Sequence, residues 1–322
     1  MHIIIPDDYQ NATPGLACFA KLAGHTVTVF NDTVKDMDAL VERLYPAEAL
    51  VLIRERTPIT EALLARLPNL KLISQTGKGI THIDAAAATR HHVLICAGTG
   101  SPTAPAELTW ALIMAALRHI PQEVAHLRAG GWQTTVGRVL RGRTLGIFGY
   151  GKIGSLVAGY GRAFGMKVLV WGREGSLARG RADGYTPAPD KETFFAQTDI
   201  LSLHLRLIPE TRGIVTSGDL ALMKPDALLV NTSRAELIAP GALEMALRAG
   251  RPGWAAVDVY EEEPILGANH PLLKLDNALC TPHLGYVEQD SYELYFSQAF
   301  EQVLAFAEGH PINVVNPEIL DT

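Results

Sequence analysis

Residues 143–154 read RTLGIFGYGKIG, and this stretch decides the fold. Gly149, Gly151 and Gly154 form a GxGxxG pattern directly after an apolar, β-branched run at 144–148 and at the start of a helical pattern over 151–164. The first glycine permits a tight turn, the second lets backbone N–H groups approach a pyrophosphate, and the third lets helix and strand pack closely. Tyr150, Lys152 and Ile153 fill the same loop. A further strand at 167–171 completes a βαβ unit, the context that gives the pattern its meaning. The stretch is read as the phosphate-binding turn of a dinucleotide domain.

Working outward, strands are expected at 200–204, 227–231, 254–258 and 278–280, with helices at 194–197, 218–223 and 240–249. Upstream, a shorter alternation places strands at 2–5, 27–30, 49–53, 71–74 and 93–96, and helices at 37–44, 60–67 and 84–89. Strands separated by helices imply parallel pairing and right-handed crossovers. The loop AGTGSPTAP (97–105) leads into a strongly apolar helix over 105–118, capped near Thr103 or Ala104, then a short helix over 121–129. A long amphipathic helix over 287–308 closes the pattern. The expected class is α/β, with two doubly wound parallel-sheet domains. A Rossmann cofactor domain (99–287) is inserted into a flavodoxin-like substrate-binding domain (1–98 and 288–322).

Composition narrows the function. Among 322 residues, 48% are hydrophobic and 19% charged, which excludes wholesale disorder. Lys and Arg number 28 against 34 Asp and Glu, a net −6 that lacks the basic footprint of nucleic-acid binding. The longest apolar stretch, 108–117, is half a membrane span, and MHIIIPDD has no basic segment before its apolar run. Neither membrane nor export is expected. Cys18, Cys96 and Cys280 are odd in number and widely spaced, so they are read as free thiols of a cytoplasmic protein, with no metal site.

The adenosine end of the cofactor is informative. The acid that would grip the ribose belongs about 20 residues after the glycine loop. That position is Gly172, followed by Arg173. Without a carboxylate there, Arg173 is free to pair with a 2′-phosphate, which favours NADP over NAD. Arg206, after the strand at 200–204, is assigned to the same end. The alternative is that Glu174 or the backbone holds the ribose of NAD.

Three downstream segments, NTSRAELI (231–238), AAVDVYEEEPI (255–265) and TPHLG (281–285), resemble the signatures of the D-isomer-specific 2-hydroxyacid dehydrogenases. Phosphoglycerate dehydrogenases and glyoxylate/hydroxypyruvate reductases belong to that family. The resemblance runs from IRERTPIT (53–60) through ISQTGKGITHID (73–84) to the final helix. It implies that Arg234 orients the substrate, Glu263 partners the acid/base His283, and Asp258 faces the nicotinamide. It also gives Gly77, Lys78 and Gly79 the substrate carboxylate. Arg54 and Arg56 lie at a strand end towards the far part of the substrate. With Lys78 they suggest a phosphate or a second carboxylate there.

The chemistry supports these residue types. Reducing a 2-oxo acid needs a hydride donor, a proton donor and a cation for the anionic substrate. Histidine exchanges protons near neutral pH, and a carboxylate beside it favours the charged form and fixes one tautomer. Arginine offers a permanently charged planar fork. Taken singly, these are a turn histidine, an acidic surface run and a surface arginine; their common position at strand ends favours catalysis. Ala235 stands where the family usually has glycine, and Pro105 where valine is frequent.

The implied activity is reversible hydride transfer between NAD(P) and a small acid of the hydroxypyruvate, glyoxylate or 3-phosphoglycerate type. The implied assembly is a homodimer through the helices near 105–130. Two other readings stay open: a dinucleotide-sensing, corepressor-like binding protein, and a phosphite or formate dehydrogenase. The Glu/His pairing argues against formate, for which relatives pair glutamine with the histidine.

Overall fold

The computed structural model describes residues 1–321. In chain order its strands are β1 (His2–Ile5), β2 (Thr26–Val29), β3 (Ala49–Leu52), β4 (Leu72–Gln75), β5 (Leu94–Ala97), β6 (Thr144–Phe148), β7 (Lys167–Trp171), β8 (Thr186–Pro187), β9 (Ile200–Leu203), β10 (Leu228–Asn231), β11 (Trp254–Val257) and β12 (Ala278–Cys280). The helices are α1 (Met37–Leu44), α2 (Glu61–Leu64), α3 (Ala85–Arg90), α4 (Thr103–Leu117), α5 (Ile120–Arg128), α6 (Lys152–Ala163), α7 (Glu174–Ala182), α8 (Lys191–Gln197), α9 (Ser217–Leu222), α10 (Ala242–Arg248) and α11 (Gln289–Ala307). The chain forms two compact units, residues 1–101 with 288 onward, and residues 102–287.

In the first unit five parallel strands take the order β2-β1-β3-β4-β5, the flavodoxin-like doubly wound arrangement. Ile3, Ile4 and Ile5 are fully buried, as a sheet covered on both faces requires. Asp36, Thr60 and Asp84 cap α1, α2 and α3 by accepting the N–H of Ala39, Leu63 and Ala87. The end of the chain returns here: Ser74 Oγ donates to the Ala299 carbonyl (2.9 Å) and to Gln302 Oε1 (2.7 Å) on α11. Asn316 then accepts from the Ile95 N–H at 2.8 Å and donates to the Val93 carbonyl at 3.0 Å. These bonds satisfy backbone groups along β5 that would otherwise be unpaired.

The second unit holds seven parallel strands in the order β12-β11-β10-β9-β6-β7-β8. Strand order reverses between β6 and β9, which opens a crevice at the carboxyl ends where ligands of such sheets bind. Phe148, Phe194 and Phe195 meet edge to face in one core layer, with centroids 5.6–6.3 Å apart.

One local expectation is corrected, and two elements were not foreseen. The apolar helix begins at Thr103 with Pro102 at the cap, and no side chain caps it. Thr103 and Ala104 are already helical, and the fixed φ of proline starts the turn. Residues 174–182 form α7, unforeseen because two glycines and a single buried apolar residue, Leu177, erase the helical stripe. The six-residue 3-10 turn at Ala17–Leu22 is also unforeseen, being too short to show a helical repeat.

Candidate active site

The glycine loop caps the crevice edge of the second unit. Gly149 has φ +98°, and a β-carbon there would stand 2.6 Å from the His204 carbonyl oxygen. A β-carbon on Gly154 would overlap the Gly149 carbonyl oxygen. Gly151 differs: its φ is an ordinary −108°, and nothing lies within 4 Å of its β-carbon position. It caps α6 with no side-chain bond, so the helix presents its first N–H groups without a side-chain acceptor. Open space before such a helix end fits a pyrophosphate.

Next to this loop, His204 has a buried Nδ1 without a hydrogen-bond partner among the described residues. Its Nε2 contacts Ser202 Oγ at 2.9 Å, and burial keeps the ring neutral by lowering its pKa to about 3. Sequence reading passed over His204, because burial of a strand-end histidine is a tertiary property. At the other margin Gly172 has φ +155°, and Arg173 caps α7 in an exposed position. Arg206 is also exposed, but it follows β9, and β6 lies between β9 and β7. The sheet therefore sets Arg206 and Arg173 on opposite sides of the glycine strand.

Arg234, Glu263 and His283 follow β10, β11 and β12. Asn231, the last residue of β10, shapes the first loop. Its Nδ2 donates to the Arg234 carbonyl (2.9 Å), and its Oδ1 accepts the Ser233 N–H (3.1 Å). Ser233 Oγ donates to the Leu203 carbonyl at 2.7 Å, tying this loop to the end of β9. Arg234 Nη1 donates to the Ser233 carbonyl at 2.7 Å.

Glu263 accepts the Tyr260 N–H on Oε1 (2.9 Å) and meets His283 Nδ1 with Oε2 (2.5 Å). Burial opposes ionisation of this carboxyl. The His283 hydrogen bond and charge, the Tyr260 N–H and the Arg234 guanidinium outweigh it and hold the carboxyl below the usual range. The three residues thus share one electrostatic field.

His283 sits in the left-handed region (φ +52°), with its ring edge-on to Tyr286 at 5.5 Å. A strained histidine persists only where its surroundings hold it. Here the anchor is Asp258, which is fully buried. Its Oδ1 accepts from Thr281 Oγ1 (2.6 Å) and the Leu284 N–H (2.7 Å), and its Oδ2 from the Gly285 N–H (2.9 Å). Burial pushes its pKa up against these bonds and the neighbouring His283 charge. Three of about four lone-pair sites are taken, so this carboxylate holds the His283 loop.

In the first unit Arg54 adopts φ +56°. Its N–H is bound by Thr76 Oγ1 (3.2 Å) and its carbonyl by Gln75 Nε2 (2.9 Å). A β-carbon on Gly77 would stand 2.5 Å from Arg54 Nη1, and one on Gly79 2.5 Å from Glu55 Oε1. The loop is glycine-rich because a cation and an anion press against it. Lys78 is exposed between them. Arg56 turns elsewhere: it donates to the Asp7 carbonyl and lies 4.3 Å over the Tyr9 ring. The ring of His82, also missed in the sequence, has both nitrogens buried without hydrogen-bond partners among the described residues. Burial lowers its pKa to about 4.

Among the described residues no group of three or more His, Cys, Asp or Glu could hold a metal ion. No described helix is long and apolar enough to cross a membrane.

Known proteins resemble this chain over most of its length. Residues 110–285 match the model of the D-isomer specific 2-hydroxyacid dehydrogenase NAD-binding domain. A glyoxylate reductase of Aeropyrum pernix is 38% identical over 295 residues, 88% of this chain and 87% of that protein. A D-3-phosphoglycerate dehydrogenase of Methanocaldococcus jannaschii is 35% identical over 283 residues, 87% of this chain but 53% of that longer protein. The crystal structure of a phosphoglycerate oxidoreductase from Vibrio cholerae superposes with a TM-score of 0.94 at 59% identity, covering 96% of this chain and 99% of that one.

Proposed function

The chain belongs to the D-isomer-specific 2-hydroxyacid dehydrogenase family, and from that premise we propose that it interconverts a small anionic 2-oxo acid and its 2-hydroxy acid, of the hydroxypyruvate, glyoxylate or 3-phosphoglycerate type. The observation that carries the proposal is the 2.5 Å contact between His283 Nδ1 and Glu263, in the field of Arg234. When bound, the nicotinamide supplies or accepts a hydride.

The remaining work falls to side chains. His283 gives a proton from Nε2 to the substrate oxygen during reduction and takes it back during oxidation. Glu263 fixes the tautomer that leaves Nε2 for this task and stabilises the imidazolium. Arg234 binds the substrate carboxylate and polarises the carbonyl. In the first unit, Gly77, Lys78 and Gly79 offer backbone N–H groups to a carboxylate of the substrate, and Arg54 takes a further anionic group.

Gly149, Tyr150, Gly151, Lys152, Ile153 and Gly154 hold the pyrophosphate, and the last free lone pair of Asp258 receives the nicotinamide carboxamide. Gly172 and Arg173 favour NADP, with Arg206 further along the same crevice. The enzyme is a homodimer through α4 and α5. In support, Ile120, Val124 and Leu127 on α5 and the following Trp132, 73% exposed, form an apolar surface of the single chain.

Steady-state reduction of glyoxylate, hydroxypyruvate, phosphohydroxypyruvate and bulkier 2-oxo acids, with NADH and with NADPH, tests the proposal. Turnover of one or more supports it. Cofactor binding with no turnover of the panel rejects it in favour of a dinucleotide-sensing role.

A further inference from the structure

We propose that the hydroxyl groups of Thr109 and Thr232 position Arg234, so that helix α4 sets where the substrate carboxylate is held. The inference rests on the reaction proposed above and deepens it by naming two positioning residues.

The carrying observation is a chain of two hydroxyls. Thr109, fully buried on α4, donates from Oγ1 to the Pro105 carbonyl at 2.7 Å, one turn earlier in the helix. The same Oγ1 lies 2.7 Å from Oγ1 of Thr232. A hydroxyl has one hydrogen, and a carbonyl only accepts, so the Thr109 hydrogen is committed to Pro105. Thr232 is therefore the donor in the second bond and Thr109 its acceptor. The direction of each bond follows from the chemistry of the partners.

Three consecutive residues then tie the Arg234 loop in three directions. Asn231 folds the loop onto itself, through the Ser233 N–H and the Arg234 carbonyl. Thr232 joins it to α4, which packs against β10 and β11. Ser233 joins it to the Leu203 carbonyl at the end of β9. Arg234 is the first residue beyond these ties, so its backbone is held from both sides. The aim of a long side chain depends on where its backbone stands, and small displacements of a substrate-orienting group cost rate disproportionately.

The first turn of α4 also meets the second catalytic loop. A β-carbon on Gly285 would stand 3.6 Å from Pro105 Cβ and 3.4 Å from Asp258 Oδ2, the carboxylate that holds the His283 loop. One end of α4 thus borders the loops of both Arg234 and His283. Packing alone does not require the hydroxyls, since valine fills nearly the same volume as threonine. Buried hydroxyls cost stability unless they are hydrogen-bonded, and the bonds they make carry a direction that apolar contacts lack.

Thr232→Val separates positioning from folding, because Thr109 keeps its bond to Pro105 while the tie to the loop is lost. Steady-state reduction of the best 2-oxo acid of the panel, with fluorescence titration of NADH and NADPH, supplies the readout. In Thr232→Val the KM for the 2-oxo acid should rise by about fivefold or more, while the cofactor dissociation constants move by less than about twofold. Thr232→Ser, which restores the hydroxyl, should recover most of the loss. Thr109→Val should reproduce the rise in KM with a lower Tm, because it leaves the Thr232 hydrogen without its acceptor. An unchanged KM in Thr232→Val, an equal weakening of acid and cofactor, or a loss that Thr232→Ser does not recover overturns the proposal. A wild type that reduces no acid of the panel instead overturns the reaction beneath it.

Discussion

Nδ1 of His283 lies 2.5 Å from Oε2 of Glu263, and under the proposed function that contact leaves the other ring nitrogen for the substrate. An ionised carboxylate accepts and does not donate, so Nδ1 keeps its hydrogen and Nε2 exchanges the proton. The Tyr260 N–H on the other oxygen fixes the carboxylate plane. Asp258 fixes the loop from beneath. The pair is therefore held in one geometry, which is what the proposed acid/base role requires.

Replacing His283 by Gln is expected to lower kcat by about 10²–10⁴-fold, the usual contribution of a general acid/base. The dissociation constants of NADH and NADPH should barely move, because the proposed function assigns the dinucleotide to the glycine loop. Stopped-flow reduction together with fluorescence titration measures both quantities. Near-wild-type turnover in the variant rejects the assignment.

Glu263 gives a pH signature. Its folded pKa lies below the ordinary 4.5, so its charge stabilises the folded state above that value, and the contribution is lost as pH falls through the depressed value. The variant Glu263→Gln keeps the shape and removes the titration. At neutral pH it should be less stable by about 1–3 kcal/mol, the worth of a charge-assisted bond. On acidification its Tm should fall less steeply than that of the wild type. Parallel acid limbs in calorimetric melts would contradict the depressed pKa.

Much of this architecture is written locally. The glycine loop and the strand–helix alternation each occupy a few neighbouring residues, so spacing exposes them, while the three strand-end segments stand out through their resemblance to a known family. Contacts between distant residues are not written that way. The anchoring role of Asp258 depends on donors 23–27 residues downstream. The orphaned nitrogens of His82 and His204 follow from burial, which no short motif encodes. The bond from Arg179 Nη2 to the Tyr150 carbonyl (2.9 Å) depends on α7, which has no apolar stripe to announce a helix. Arg56 looked equivalent to Arg54 in IRERT, yet packing sends it to Tyr9.

The contact between Gly77 and Arg54 predicts a split between stability and kinetics. Gly77→Ala places a methyl group 2.5 Å from Arg54 Nη1, the far end of a flexible side chain that is able to move away. The thermal midpoint should change by only a few degrees, corresponding to about 1 kcal/mol. The KM for the 2-oxo acid should rise several-fold, as it should in Arg54→Ala, because the displaced guanidinium no longer meets the substrate. An unchanged KM in both variants would remove Arg54 from substrate binding.

The three glycines of the cofactor loop should respond differently to the same added methyl group. In Gly149→Ala and Gly154→Ala the new carbon meets backbone carbonyl oxygens, of His204 and Gly149 respectively, and backbone yields less readily than a side-chain end. Gly149 would also be forced to keep φ +98° with a side chain. Each variant should lose about 1–3 kcal/mol of stability, with the loop displaced and dinucleotide affinity reduced as a consequence. Gly151→Ala meets nothing within 4 Å and has an ordinary φ, so its stability should stay within about 0.5 kcal/mol of wild type. Its methyl group would instead occupy the space before the α6 N-terminus that a pyrophosphate needs. NADH and NADPH affinity should fall together by about tenfold or more, in a protein that melts normally. If Gly151→Ala binds both as tightly as the wild type, the open space is not the phosphate cradle, and the first contact must lie elsewhere along the crevice.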